Sequence, residues 1–316
     1  MNVDPAVTVL LTVYNGERHL AESIDSVFAQ TFEDFELLVV DDGSTDATSE
    51  ILSGYADSRL RVIRNELNLG VTRSLNRGLG ESRGCYVARQ DADDVSAPER
   101  LERQTAFLDV NPDVTLLASS YLRIRDDGSV SGIRYVPTEA LGARWRLLFL
   151  NAFTNSSVMF RRDDVERLGG FREEFVYAQD YDLWSRLAFT GTVAALPDTL
   201  VLYRDTRDSL TATLAAHVDD VDRISRDNMR RLGPAGARVA QRIDREAAWR
   251  LLFAGTGGLT VTRAAAAARD VLELERAFAR YERLPKPTRL RRRGALLLQL
   301  TRALARLAAR DARVRG

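Results

Sequence analysis

The chain has 316 residues, 45% hydrophobic and 28% charged, a balance that fits a soluble globular protein of one large domain plus an appendage. A single Cys excludes a disulfide framework, no apolar run reaches the ~18 residues that span a bilayer, and Met1–Pro5 lacks the basic and long apolar regions of a signal peptide, so the expected location is the cytoplasm. The formal net charge of zero conceals an asymmetry: residues 286–316 hold ten Lys or Arg and one Asp, giving a +9 tail on a −9 body.

In chain order, Val7–Val13 is a short β-rich apolar run, and Glu17–Gln30 follows with helical spacing at Leu20, Ile24, Val27 and Phe28. Phe35–Val40 reads as a buried strand running into Asp41-Asp42-Gly43-Ser44-Thr45-Asp46, and a helix is predicted from about Ala47 to Ala56. A strand at Leu60–Arg64, a helix near Thr72–Glu81, a strand at Tyr86–Gln90 and a helix over Glu99–Val110, opened by Ser96-Ala97-Pro98, complete an alternating pattern. Alternation over residues 7–110 predicts an α/β layer with mainly parallel strands. Residues 114–205 are mixed, with strands at Val114–Ser119, Val158–Phe160, Val193–Leu196 and Leu200–Tyr203 and a helix at Asp180–Phe189. From about Leu214 the pattern is helical, with breaks at Gly255–Gly258 and Pro285–Pro287. The expected domains are 1–212 and an α-helical 213–316.

Ala88-Arg89-Gln90-Asp91-Ala92-Asp93-Asp94 places three carboxylates within four residues at the end of a buried strand. Crowded carboxylates repel one another unless protonated or neutralised, and Mg²⁺ or Mn²⁺ neutralises them while keeping positions open for phosphates. Sheets of this kind bind ligands beyond the carboxyl ends of their strands, where Thr12–Asn15, Asp41–Asp46 and Asp91–Asp94 all fall. No GxGxxG follows the first strand and no GxxxxGK[ST] occurs, while Gly78-Leu79-Gly80 reads as a helix stop. What remains is a nucleotide diphosphate held through a metal.

Thr8–Asn15, Val39–Asp46 and Asp91-Ala92-Asp93-Asp94 resemble the successive signatures of family 2 glycosyltransferases. Asn68–Gly78, Asn155–Arg161, Gly169-Gly170-Phe171 and Gln179–Trp184 follow the same order, and the resemblance covers roughly residues 5–210. It implies a GT-A fold, a Rossmann-like mixed sheet flanked by helices with a helical C-terminal appendage, and an inverting, hexosyltransferase-type reaction. By this resemblance Thr12 and Tyr14 line the base pocket, Asp42 accepts the N3–H of a uracil or thymine, Arg73 joins the nucleotide site, and Asp91 holds the ribose or a metal-bound water. Asp93 would ligate the cation, whereas Asp94 stands open between this site and an exposed helix cap. Asp180 would be the general base, with Asp182 pointing elsewhere. The chain departs from the family where Gln179 replaces a common Glu, and where Asn155 and Thr206 stand at positions often held by His. His19 and His217 read as surface residues.

The resemblance implies a donor linked to UDP or dTDP and a glycan or lipid-linked acceptor, in cell-surface polysaccharide or glycoconjugate synthesis. Competing readings are a sugar-phosphate nucleotidyltransferase, which needs a triphosphate cradle that Thr12–Gly16 lacks, and a non-catalytic nucleotide-sugar-binding subunit. In the tail, Leu296, Leu297, Leu300, Leu304 and Leu307 share one helical face and Arg302, Arg306, Arg310 and Arg313 the opposite one. Such a helix either lies on the anionic inner face of the cell membrane or packs its Leu stripe on protein. Nucleic acid is not an expected partner.

Overall fold

The computed structural model describes residues 4–205 and 214–315. Two compact units emerge, one comprising residues 1–144 and 151–220, the other residues 145–150 and 221–316.

The first unit is built on a mixed sheet. β1 (Val7–Val13), β2 (Phe35–Asp41), β3 (Leu60–Arg64) and β4 (Tyr86–Asp91) lie parallel in the order β3-β2-β1-β4. Helices α1 (Leu20–Phe28), α2 (Thr48–Ser53) and α3 (Val71–Glu81) make the connections. β1 and β2 are buried almost throughout, as expected of parallel strands covered on both faces. Their side chains, with Leu20, Ile24 and Val27 of α1 and Leu101 and Leu108, form the core. Gly78 of α3 lets that helix press against Leu10 and Val40, which a Cβ would strike, so it is a close-packing residue rather than a helix stop.

β5 (Val95–Ser96), α4 (Arg100–Val110), β6 (Val114–Arg125) and β7 (Val130–Arg134) follow. Then come α5 (Ala140–Arg146), a 3₁₀ turn at Asn155–Ser157, β8 (Met159–Arg161), α6 (Arg162–Arg167), α7 (Gln179–Thr190) and β9 (Thr192–Asp205). Beyond β4 the sheet continues β8-β6-β9-β5, with β7 on β6. β8 is antiparallel to β4 and β6, whereas β6 and β9 run parallel. The two short strands expected around Pro197-Asp198 are one strand, β9, whose register against β6 slips there from Ser119↔Leu196 to Ser120↔Thr199. The helix expected to open at Ser96 starts at Arg100, because Val95 and Ser96 pair with Leu202 and Val201 instead.

Registry fixes the working edge. Thr12 lies beside Val40 on one flank and Asp91 on the other, and Val13 beside Asp41. The carboxyl ends of β1, β2 and β4 are therefore level.

The second unit comprises most of α8 (Leu214–Arg230), α9 (Pro234–Arg242), α10 (Arg245–Trp249), a π-helical turn at Arg250–Ala254, α11 (Val261–Tyr281) and α12 (Lys286–Arg315). Residues 145–150, expected in the first domain, belong here. Trp145 packs edge-on against Phe149 and Phe278, and Ser225 and Asn228 donate to the carbonyls of Leu148 and Leu147. α12 settles the reading of the Leu stripe. Leu296, Leu300 and Leu307 are buried, Gln299 Nε2 donates to the Leu252 carbonyl (2.8 Å) and Arg310 to that of Leu259 (3.1 Å). Those three leucines pack inside the unit, whereas Leu304 is half-buried and Leu297 is 40% exposed. No helix among the described residues is long and apolar enough to cross a membrane.

Candidate active site

The loops after β1 and β2 are stapled reciprocally. Asn15 takes a left-handed backbone (φ 52°), which Asn tolerates better than most residues. Its N–H donates to Ser44 Oγ (3.0 Å), and its Oδ1 accepts from Thr45 N (2.8 Å). Gly16 N donates to Thr48 Oγ1 and Glu17 N to Asp46, while Ala47 N donates to Glu17. Tyr14, between them, is 48% exposed and offers its ring to solvent. Thr12 lies half-buried at the strand end beside Asp91.

Asp42, expected to read the base, organises this region. Its Oδ1 accepts from Asn65 Nδ2 (2.6 Å) and Leu69 N (2.9 Å), and its Oδ2 from Gly70 N (2.9 Å). A carboxylate has about four lone-pair sites, so capacity for a further donor remains. Arg73 stands apart. Its Nε pairs with Glu173 (2.8 Å) with both side chains more than half exposed, and among the described residues it makes no hydrogen bond or ion pair with the other candidate site residues.

The turn after β4 carries the electrostatics. Asp91 N donates to Ser156 Oγ (2.9 Å), and Asp91 Oδ1 pairs with Arg89 Nη2 at 3.0 Å. Burial, reinforced by the charge of Asp91, pushes the Asp93 carboxyl up to about 6. Asp94 is 1% exposed and raised well above the carboxylate range, by burial first and then by Asp91 and Asp93. It is neither exposed nor a helix cap: Glu99 precedes α4, while Asp94 Oδ1 accepts from Arg204 N (2.8 Å). Its Oδ2 is buried with no hydrogen-bond partner among the described residues. Beneath the turn, Gln90 donates to Ser23 Oγ and the Asp94 carbonyl, and Arg100 donates to Gln90 and to the Arg89 carbonyl. The Gln90 amide and the Arg100 guanidinium thus meet carbonyls of the turn and of the strand before it.

Asp180 lies in the first turn of α7, its Oδ1 accepting from Tyr181 N (2.6 Å) and its Oδ2 from Asn151 Nδ2 (2.8 Å). Burial drives its carboxyl up to about 6; the Tyr181 N–H and Asn151 oppose this, and the charge of Asp91 adds to it. Asp182, by contrast, is spent on structure. It is buried and pairs with Arg186 at 2.8 Å and with Arg172 at 3.5 Å. Gln179 is buried, and its Oε1 finds no hydrogen-bond partner among the described residues.

The fold therefore brings Asp91, Asp93, Asp94 and Asp180 into one electrostatic cluster, with Thr12 alongside. Three residues of that cluster escape sequence reasoning. Arg89 is fully buried and donates to the Leu10 carbonyl, and its charge acts on both Asp91 and Asp180. Arg204 clamps the turn from β9, donating to the Asp93 carbonyl (2.9 Å) and pairing with Glu22 (2.6 Å). The Tyr203 hydroxyl is raised by burial and by the charges of Asp94, Asp91 and Asp93. Arg89 had a signal, since a cation inside an apolar strand requires a buried anion. Arg204 and Tyr203 had none, being over a hundred residues away in sequence. Asn155 lies in the 3₁₀ turn. Thr206 lies outside the described residues, and so does the side chain of His217, whereas His19 is half-buried.

Among the described residues no three His, Cys, Asp or Glu side chains are grouped to hold a metal ion. A cation ligated by one or two protein carboxylates and completed by phosphate oxygens and water still fits. The unpartnered Oδ2 of Asp94 and the raised carboxyl of Asp93 mark a local deficit of positive charge.

A mixed sheet with carboxylates at the ends of its parallel strands, faced by the first turn of an acid-bearing helix, is the architecture of the GT-A glycosyltransferases. S. aureus TarS 1–349, solved with UDP-GlcNAc, superposes with a TM-score of 0.62 at 20% identity, over 95% of this chain and 89% of that one. The mannosyltransferase PcManGT from Pyrobaculum calidifontis, solved with GDP-Man and Mn²⁺, gives 0.58 at 20% identity over 98% and 87%. The chain belongs to glycosyl transferase family 2, whose model matches residues 8–169. The putative glycosyltransferase EpsE of Bacillus subtilis is 37% identical over 60% of this chain and 69% of its own length. The amylovoran biosynthesis glycosyltransferase AmsE of Erwinia amylovora is 30% identical over 62% and 75%. An uncharacterized glycosyltransferase of Haemophilus influenzae is 35% identical over 63% of this chain, which spans 65% of that relative's length.

Proposed function

We propose that the chain transfers a sugar, with inversion, from a UDP- or dTDP-linked donor to a hydroxyl of a glycan or lipid-linked acceptor in cytoplasmic polysaccharide or glycoconjugate synthesis. The observation that carries the reading is Asp180: a carboxyl pushed up to about 6, oriented by two hydrogen bonds, in the electrostatic field of Asp91 and Arg89. A general base works best with a pKa near the operating pH. The acceptor oxygen attacks the anomeric carbon, its proton passes to Asp180, and the bond to the diphosphate breaks on the opposite face.

Tyr14 would stack on the base, Asp42 and Thr12 would border it, Arg73 would reach the nucleotide from α3, and Asp91 would take the ribose. Asp93 would hold a Mg²⁺ or Mn²⁺, which when bound neutralises charge growing on the leaving nucleoside diphosphate. Support for the donor class comes from TarS, solved with UDP-GlcNAc, and for a metal from the Mn²⁺ complex of PcManGT. AmsE supports polysaccharide synthesis.

Incubation with a panel of nucleotide sugars and Mn²⁺ tests the proposal, and free nucleoside diphosphate is the expected product. Released pyrophosphate would indicate nucleotidyl transfer, and binding without turnover a non-catalytic subunit.

A further inference from the structure

The second unit contains a groove between the end of α11 and the start of α12, about 340 Å³ in volume. Arg276, Arg280, Lys286, Arg289 and Arg293 line it, with Glu275 at its floor. Five cations thus face one buried carboxyl. None of the five makes an ion pair with a carboxylate among the described residues, although this unit is otherwise laced with them, as in Arg242 with Asp270 and Glu273. Glu275 is 3% exposed and its ion-pair contact among the described residues is a loose one, 3.9 Å from Arg292; burial raises its carboxyl against the opposing charges of Arg292, Arg293 and Arg276. The groove is therefore strongly and unusually positive.

The placement also runs against helix electrostatics. The first turn of α12 contains no acidic residue, yet Lys286 and Arg289 crowd the positive end of its dipole, with Arg293 one turn further on. A local arrangement that costs stability without a compensating partner points to a ligand. An anion seated there would satisfy both the side chains and the helix terminus.

Apolar exposure on the rim narrows the chemistry. Leu290, which lines the groove, is 61% exposed, and Leu297, two turns along on the same face, is 40% exposed. Cations that bind phosphate beside leucines left in water suit a headgroup whose acyl chains lie next to it. We propose that the groove between α11 and α12 binds the phosphate of an anionic phospholipid at a membrane surface. The rim shares Leu297 with the stripe expected from the sequence, whereas Leu296, Leu300 and Leu307 of that stripe are buried. The proposal does not depend on the donor or acceptor assigned above.

Co-sedimentation of the full chain with phosphatidylglycerol–phosphatidylcholine vesicles tests it against pure phosphatidylcholine vesicles. Binding is expected to the anionic vesicles alone and to weaken with salt. Lys286→Gln/Arg289→Gln/Arg293→Gln should cut the association constant roughly 100-fold. Arg276→Gln/Arg280→Gln, on the other helix, should cut it by roughly 10-fold or more, which keeps the test open if the triple variant misfolds. Leu290→Ser should weaken binding without changing its salt dependence. Transfer to a soluble acceptor should be unaffected by all three. Vesicle binding unchanged in both Gln variants would overturn the site. Thermal stabilisation by inorganic pyrophosphate or by duplex DNA, without vesicle binding, would overturn the lipid source.

Discussion

Two acidic turns leave the same edge of the sheet, Asp41–Asp46 after β2 and Asp91–Asp94 after β4, and their carboxylates meet opposite fates. In the first, donors reach both oxygens of each. Asp41 accepts from Ser44 N and Ser49 Oγ, and Asp42 from Asn65 and two backbone amides. Partial burial of Asp46 is outweighed by hydrogen bonds from Thr48 and Glu17, which hold its carboxyl below the usual range. In the second, burial and mutual repulsion push Asp93 to about 6 and raise Asp94 well above the carboxylate range, and one oxygen of Asp94 has no hydrogen-bond partner among the described residues. Carboxylates with donors on both oxygens build a loop; underserved ones mark where a proton, a cation or a substrate donor is still required.

The comparison is broken or sharpened most strongly at Asp180, which shares the raised proton affinity of the second turn. Asp180→Asn should lower kcat for transfer by ~10²–10⁴ with donor affinity nearly unchanged. A matching loss of donor binding, read by calorimetry, would make it a donor-site residue. In the wild type, log(kcat/KM) should climb with pH and level off above about pH 6, because the base works only when deprotonated. The variant should lack that limb. The sign for stability is opposite. A folded carboxyl near 6 against an ordinary 3.8 means ionisation is disfavoured in the fold, so this group's contribution to stability falls as pH rises from about 4 to about 6.

Next in size is a direct contrast between the turns in metal-free buffer. Asp42→Asn puts an amide donor against Asn65, Leu69 N or Gly70 N and should cost ~1–3 kcal/mol in urea unfolding. Asp94→Asn keeps an acceptor for Arg204 N and removes the repulsion with Asp91 and Asp93, and should cost less than ~1 kcal/mol. Equal losses would erase the distinction drawn between the two loops. The smallest effect belongs to Arg73→Ala. Its exposed pair with Glu173 should contribute less than ~1 kcal/mol to stability, so any loss of donor affinity beyond that reports on nucleotide contact.

Much of the first unit was legible in the chain. Apolar runs separated by helical spacing place β1, β2, β4 and α3 close to where they stand, because strands buried on both faces admit few polar residues. The boundaries that moved did so for tertiary reasons. Val95 and Ser96 became a strand because β9 lay available to pair, and β9 stayed whole across Pro197 because β6 absorbed the slip in register.

The site divides in the same way. Sequence alone determined which carboxylates stand at strand ends, since residue type and strand length fix that locally. It also determined the basic character of the tail. Only the folded chain decided that Asp42 is held by three donors and Asp94 buried, that Asp182 is spent on Arg186 while Asp180 keeps a raised proton affinity, and that Arg89 and Arg204 supply the nearby positive charge. It likewise decided that Leu296, Leu300 and Leu307 of α12 face inward while its first-turn cations face a groove. Charge and periodicity are local properties of a chain, whereas burial and the partners of a charge depend on residues brought from far along it, and a pKa follows from those.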